Sequence, residues 1–263
     1  MLKKLLKYDL KYIFKLLVIF YILSMLFGIL TRVFFSFHNS LVLRIIGEIT
    51  QGAAISMMCS TLINNILRMW VRFKTNFYGD ESYLTHTLPI EKRTHYLSKI
   101  LTTVITLFVS FAVICLVLFT AYYSKENLNF IKNMLFPLAE AYDSTILGIV
   151  ALLVFVLFLE FLSAVQCGFS GIILGHKMYR GKIGFSVLYG FIVYSITQVF
   201  AVLTVFVVGL FNDDMMLLFT SNQLNSLSVI KTAMTVAIVT YFAISVIVYF
   251  VNQKLLKNGV NVD

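Results

Sequence analysis

Apolar residues fill six stretches of this chain almost without interruption, from about position 16 to 37, 49 to 71, 100 to 123, 145 to 175, 184 to 211 and 229 to 250. Each is close to or longer than the roughly 20 residues that an α-helix needs to cross a hydrocarbon core. None alternates with a period of two, as barrel strands do, and only two prolines and thirteen glycines interrupt 263 residues. The pattern predicts an all-α membrane protein with six transmembrane helices. The fourth and fifth stretches exceed the core thickness, so each is expected to be tilted, broken or extended beyond the membrane.

The residues before the first stretch carry a different pattern. Lys3, Lys7, Lys11 and Lys15 recur every four positions, while Leu2, Leu6, Leu10, Ile13 and Leu17 fall on the other side of a helical wheel. This predicts an amphipathic interfacial helix over residues 1–15, followed by one six-helix transmembrane domain over 16–263. A plain basic anchor for the first span is the simpler reading of the same lysines. The apolar run is too long for a secretory signal and no small-residue cleavage site follows it, so it is read as a retained helix.

Composition sharpens the class. With 60% hydrophobic residues, 13% charged residues and a mean hydropathy of +0.91, the chain lies outside the range of soluble globular domains. The formal net charge of +9 is unevenly placed. Arg32, Arg44, Lys125, Lys132 and Lys231 fall on one side of the predicted membrane, leaving 16 of the 21 Lys and Arg on the side of the amino terminus. The positive-inside rule then puts both termini in the cytoplasm. Basic residues scattered over four segments beside membrane spans argue against a nucleic-acid-binding surface. Cys59, Cys115 and Cys167 all fall inside apolar runs without ligand or disulfide spacing, which reads as small buried hydrophobes.

The longest hydrophilic stretch, residues 72–99, lies between the second and third spans. Gly79 is expected to end one element, Asp80 to cap the next, and Asp80 and Glu81 to suit the first turn of a short helix. Pro89 ends that helix and opens the following one. Tyr83, Leu84 and Leu88 would offer apolar contacts to a groove on a partner, and an ordered loop is the plainer alternative.

The wording of this stretch resembles the loop of Firmicute-type permeases in the type-2 class of ATP-binding-cassette exporters. The matching residues are Tyr78, Asp80, Glu81, Tyr83, Leu84, Thr85, Thr87, Leu88 and Pro89, with Ser98 and Lys99 opening the third span. They cover about a tenth of the chain. The resemblance implies a permease subunit with six spans, an amphipathic amino-terminal helix and a coupling helix between spans two and three. It further implies a bacterial plasma membrane and a separate cytoplasmic ATPase subunit on which that helix docks. A second permease chain, identical or different, would complete the pathway through first and fifth spans. The chain has no Gly-x-x-x-x-Gly-Lys-Ser/Thr loop, so ATP and magnesium would be held by the partner and no cofactor by this chain.

Other motifs bear on the alternatives. Gly168-Phe169-Ser170-Gly171 matches the Gly-x-Ser-Gly of rhomboid proteases, yet the sixth span offers no histidine to act as base. Gly168, Gly171 and Gly175 lie on one helical face and suit close helix packing instead. His38, His86, His95 and His176 have no metal-ligand spacing. Polar groups inside the spans are costly in lipid and therefore informative: Glu160 and Gln166 in span four, Asn64 and Asn65 in span two, and Gln198 in span five. Glu160 would face either the pathway or a neighbouring helix. Arg44 and Glu48 suit an interfacial ion pair. Three readings stand: an exporter permease subunit that is not itself an enzyme, a stand-alone secondary transporter or channel, and a non-transporting scaffold or sensor. The substrate of the first would be amphipathic or hydrophobic, a peptide among the options.

Overall fold

The computed structural model describes residues 1–37, 41–87, 89–212, 216 and 227–257. Eight helices and no strands occur among them: α1 (Leu2–Phe35), α2 (Leu41–Phe77), α3 (Ser82–Thr87), α4 (Lys92–Tyr122), α5 (Lys125–Ala141), α6 (Ile146–Gly175), α7 (Lys182–Phe211) and α8 (Leu227–Lys257). All but α3 and α5 are long and apolar enough to cross a membrane. The protein is an all-α, multi-pass membrane protein.

The long helices run past the apolar stretches because hydropathy ends at the lipid boundary while backbone hydrogen bonding continues into water. No proline and a single glycine, Gly28, fall between Leu2 and Phe35, and α1 is one helix across the boundary expected at Lys15. Neither α6 nor α7 is broken, and 30 residues at the helical rise make each about 45 Å long. Residues 125–141, which carry no long apolar run, form a helix that the hydropathy pattern did not predict. Its signal is a helical period rather than a continuous stretch.

The chain divides into two compact units, Met1–Phe73 with Pro89–Asn129, and Lys74–Leu88 with Phe130–Asp263. In the first, α1 and α4 run parallel in constant register. Asp9 meets Lys99, Tyr21 meets Ser110, and Arg32 meets the Thr120 carbonyl, always 88 to 90 positions apart. A Cβ on Gly28 would stand 2.9 Å from Val117 Cγ1, so glycine sets how closely this pair packs. α2 runs the other way, with Asn65 reaching Ser110 and Arg72 reaching Asp9.

The second unit has the same local topology. α6 and α7 are antiparallel, with Gly171 against Gly190 and Gly175 against Ser186. α6 and α8 are parallel: Ala141 and Tyr142, just before α6, meet Lys231 near the start of α8, while Gln166 and Ser170 meet Asn252 near its end. The turn between α6 and α7 closes through Gly181, whose φ of 65° is left-handed backbone that glycine adopts without strain. Cys167 is buried, but Cys59 and Cys115 are exposed on the outer surfaces of their helices, contrary to the expectation for all three. An apolar run marks the lipid-facing side as well as the core, so it does not tell them apart.

Candidate functional site

The segment joining α2 to α4 is built on two buried aromatic residues. Phe77 and Tyr78, at the end of α2, are 1% and 2% exposed. The Tyr78 ring stacks on His176 with centroids 4.2 Å apart and planes 28° apart, and burial pushes its phenol above the ordinary range. His176 caps α6, its Nδ1 lying 2.8 Å from the Ile172 carbonyl. The Tyr78 and Gly79 amides both bond the Lys74 carbonyl and close the end of α2.

α3 starts later than the acidic pair suggested. It begins at Ser82, with no acidic residue in its first turn. Asp80 is exposed in the preceding turn, and the Glu81 carboxylate accepts from Asn76 Nδ2 at 2.6 Å. Glu81 thus ties the turn to α2, and its backbone carbonyl accepts the Thr85 amide that opens α3. Tyr83 and Leu84 are 68% and 72% exposed. Thr87 Oγ1 turns back to the Leu84 carbonyl, and Pro89 is exposed beyond it. Leu88 and His38 lie outside the described residues.

Sequence reasoning missed a charged cluster in the first unit. Asp9 is buried and accepts from three groups: Lys99 Nζ at 2.6 Å, Arg72 Nε at 3.0 Å and Ser98 Oγ at 3.1 Å. The Arg72 guanidinium also lies 4.7 Å from the centre of the Tyr12 ring. One carboxylate therefore joins α1, α2 and α4, and the Ser98-Lys99 pair at the start of the third span is a ligand to it. The signal was an acid among lysines: Asp9, Ile13 and Leu17 follow at helical spacing and are all buried, whereas Lys3, Lys7, Lys11 and Lys15 are exposed.

The polar span residues separate into distinct settings. Asn65 is buried between helices, donating to Ser110 Oγ at 2.9 Å and accepting from Thr106 Oγ1 at 3.0 Å, while Asn64 donates to the Ser60 carbonyl of its own helix. In the second unit the Gln166 backbone carbonyl, not its side chain, accepts from Asn252 Nδ2 at 3.1 Å, and Ser170 Oγ donates to Asn252 Oδ1 at 2.7 Å. Ser170 is thus part of a packing contact with α8. Tyr241 donates to Gln198 Oε1 at 3.1 Å, and Glu160 is half-buried on α6. An apolar cleft of about 340 Å3 lies beside these helices, lined by Ser170, Thr197, Phe200 and Val248 among others.

Gly171 and Gly175 carry the α6–α7 contact. A Cβ on Gly171 would stand 2.5 Å from the Ser186 carbonyl oxygen, and one on Gly175 would collide with Ser186. Gly168 lies 3.8 Å from a Cβ built on Gly190. Arg44 and Glu48 pair at 3.7 Å on the surface of α2. Among the described residues, no three His, Cys, Asp or Glu side chains come together to hold a metal.

Fold and site together define a multi-pass helical membrane protein with a short helix between its second and third spans. Comparison with protein-family models, curated proteins and solved structures returns no match.

Proposed function

We propose that this chain is the membrane-spanning subunit of an ATP-binding-cassette exporter, moving an amphipathic or hydrophobic substrate across a bacterial plasma membrane. On this reading both termini are cytoplasmic, α3 is the coupling helix, and the lysine face of α1 meets the inner leaflet. The observation that carries it is α3 itself, where Tyr83 and Leu84 expose two adjacent apolar side chains from a segment fixed by buried Phe77 and Tyr78. Such a helix fits an apolar groove on a partner and can pass its displacement to α6 through the Tyr78–His176 stack. ATP is hydrolysed by a separate subunit, and a second permease chain completes the pathway.

The resemblance of Tyr78 to Pro89 to the loop of type-2 permeases names the partner's class. The test is co-purification with a cytoplasmic ATPase encoded beside this chain. Replacing Tyr83 and Leu84 together by glutamate is expected to weaken that complex at least about thirtyfold, equivalent to ~2 kcal/mol, and to abolish ATPase stimulation. A complex that survives this change with stimulation intact overturns the assignment of α3. The competing reading, a stand-alone secondary transporter or channel, draws on half-buried Glu160 within the fourth span, and substrate flux in proteoliposomes without ATP would favour it.

A further inference from the structure

Among the described residues, α5 is the one helix of appreciable length that is not a candidate membrane span, and its wheel has an apolar and a polar arc. Phe130, Ile131, Met134, Leu135 and Leu138 fall on one arc, with Asn127 among them, while Lys125, Asn129, Lys132, Asn133 and Glu140 fall on the other, with exposed Phe136 among them. The apolar arc is not turned into the protein. Phe130 is 70% and Met134 69% exposed, Ile131 is exposed, and Ala139 is the buried residue of the helix. A soluble helix would not leave such an arc in water.

Both ends of α5 are tied to membrane spans. Only Tyr123 and Ser124 separate it from α4, a reach of about 7 Å. At the other end Asp143, in left-handed backbone at φ 46°, stops the helix, and the Ser144 amide returns to the Ala139 carbonyl. Thr145 then caps α6 directly, its hydroxyl accepting the Gly148 amide. Each junction carries a tyrosine paired with a cation. The Arg32 guanidinium lies 5.7 Å from the Tyr123 ring centre, and Lys231 Nζ lies 5.3 Å from that of Tyr142 while donating to the Ala141 carbonyl at 2.7 Å. Tyrosines and long basic side chains are the groups that settle where lipid meets water.

We infer that α5 is an interfacial helix of the leaflet reached by the carboxyl end of α4, with Phe130, Ile131, Met134 and Leu138 inserted among acyl chains and its polar arc against the headgroups. The occupant of the apolar arc is lipid because α5 is joined by a short turn to the membrane span α6, whose first turns expose Leu147 and Val150 in the same way. The Lys231 clamp on Ala141 and Tyr142 couples the depth of α5 to the start of α8.

The inference is independent of any ATPase and is tested on the full chain in phosphatidylcholine nanodiscs. Part of the lipid carries a diazirine near the acyl carbonyl. Irradiation and peptide mapping are expected to place adducts on Phe130, Ile131, Met134 and Leu138, and none on Asn129, Asn133 or Glu140. Adducts on α4 and α6 but none on residues 125–141 would overturn it. Cross-links from the apolar arc to a second copy, or to residues 213–226, in place of lipid adducts would do the same. As a second measurement, Asn133→Cys and Met134→Cys are treated with a membrane-impermeant maleimide and read over the unchanged chain. Asn133→Cys is expected to label at least about tenfold faster, because only a thiol in contact with water ionises and reacts. Equal rates refute the insertion of α5.

Discussion

The two units share a local topology but are held together by different chemistry. In each, the first and third spans run parallel and the second runs against them. Unit one ties its spans with charge and hydrogen bonds, through Asp9 with Arg72, Lys99 and Ser98, and through Asn65 with Thr106 and Ser110. Unit two brings backbones together at Gly171, Gly175 and Gly190, and adds the smaller Ser170–Asn252–Gln166 contact. Lipid tails are as apolar as leucine, so apolar surface alone does not drive helices together, and these are the two remaining means. The first is strong but brittle, because it leaves buried charge behind when a partner is lost. The second is graded and depends on the absence of a side chain.

The largest expected break is at Asp9. Asp9→Ala leaves Lys99 and Arg72 without their shared carboxylate, and a loss of about 3–5 kcal/mol is expected from denaturant titration of the purified protein. Adding Lys99→Met to that variant removes one stranded charge and should recover part of the loss. A cost below about 1 kcal/mol for Asp9→Ala would mean that charge does not hold unit one.

Gly175→Leu comes next. Its side chain would meet Ser186 of α7, and overpacking of this kind costs about 1–3 kcal/mol. Gly184→Leu, on the same unit but with open space around it, is the control and should stay within about 0.5 kcal/mol. Equal effects at the two glycines would remove close backbone approach as the device of unit two.

The smallest effect sharpens the comparison. Asn65→Ala and Asn252→Ala each delete a buried amide bonded across helices, one per unit. Each should cost about 0.6 kcal/mol and no more than ~1.7 kcal/mol in the same titration. A larger cost at Asn65 alone would extend the polar design of unit one beyond its ionic cluster.

Much of the fold was legible along the chain because lipid imposes a length and a composition on any helix that crosses it. α5 was not, since a 17-residue amphipathic helix has a period but no run. The exposed lysines of α1 were legible as one face, while Asp9 on the opposite face was lost among them. Tyr83 and Leu84 could be picked out by their apolar character within a hydrophilic stretch. Tyr78 could not be seen to stack on His176, because nothing local relates positions 98 residues apart.

By itself, then, the sequence determined the solvent and the number of long helices, for hydrophobic length is a one-dimensional property. Only the tertiary structure decided which helices run side by side and which polar groups share a partner. A carboxylate at position 9 acquires its meaning from cations at 72 and 99, and a glycine at 175 from a serine at 186. Those pairings depend on distances through space that spacing along the chain does not encode.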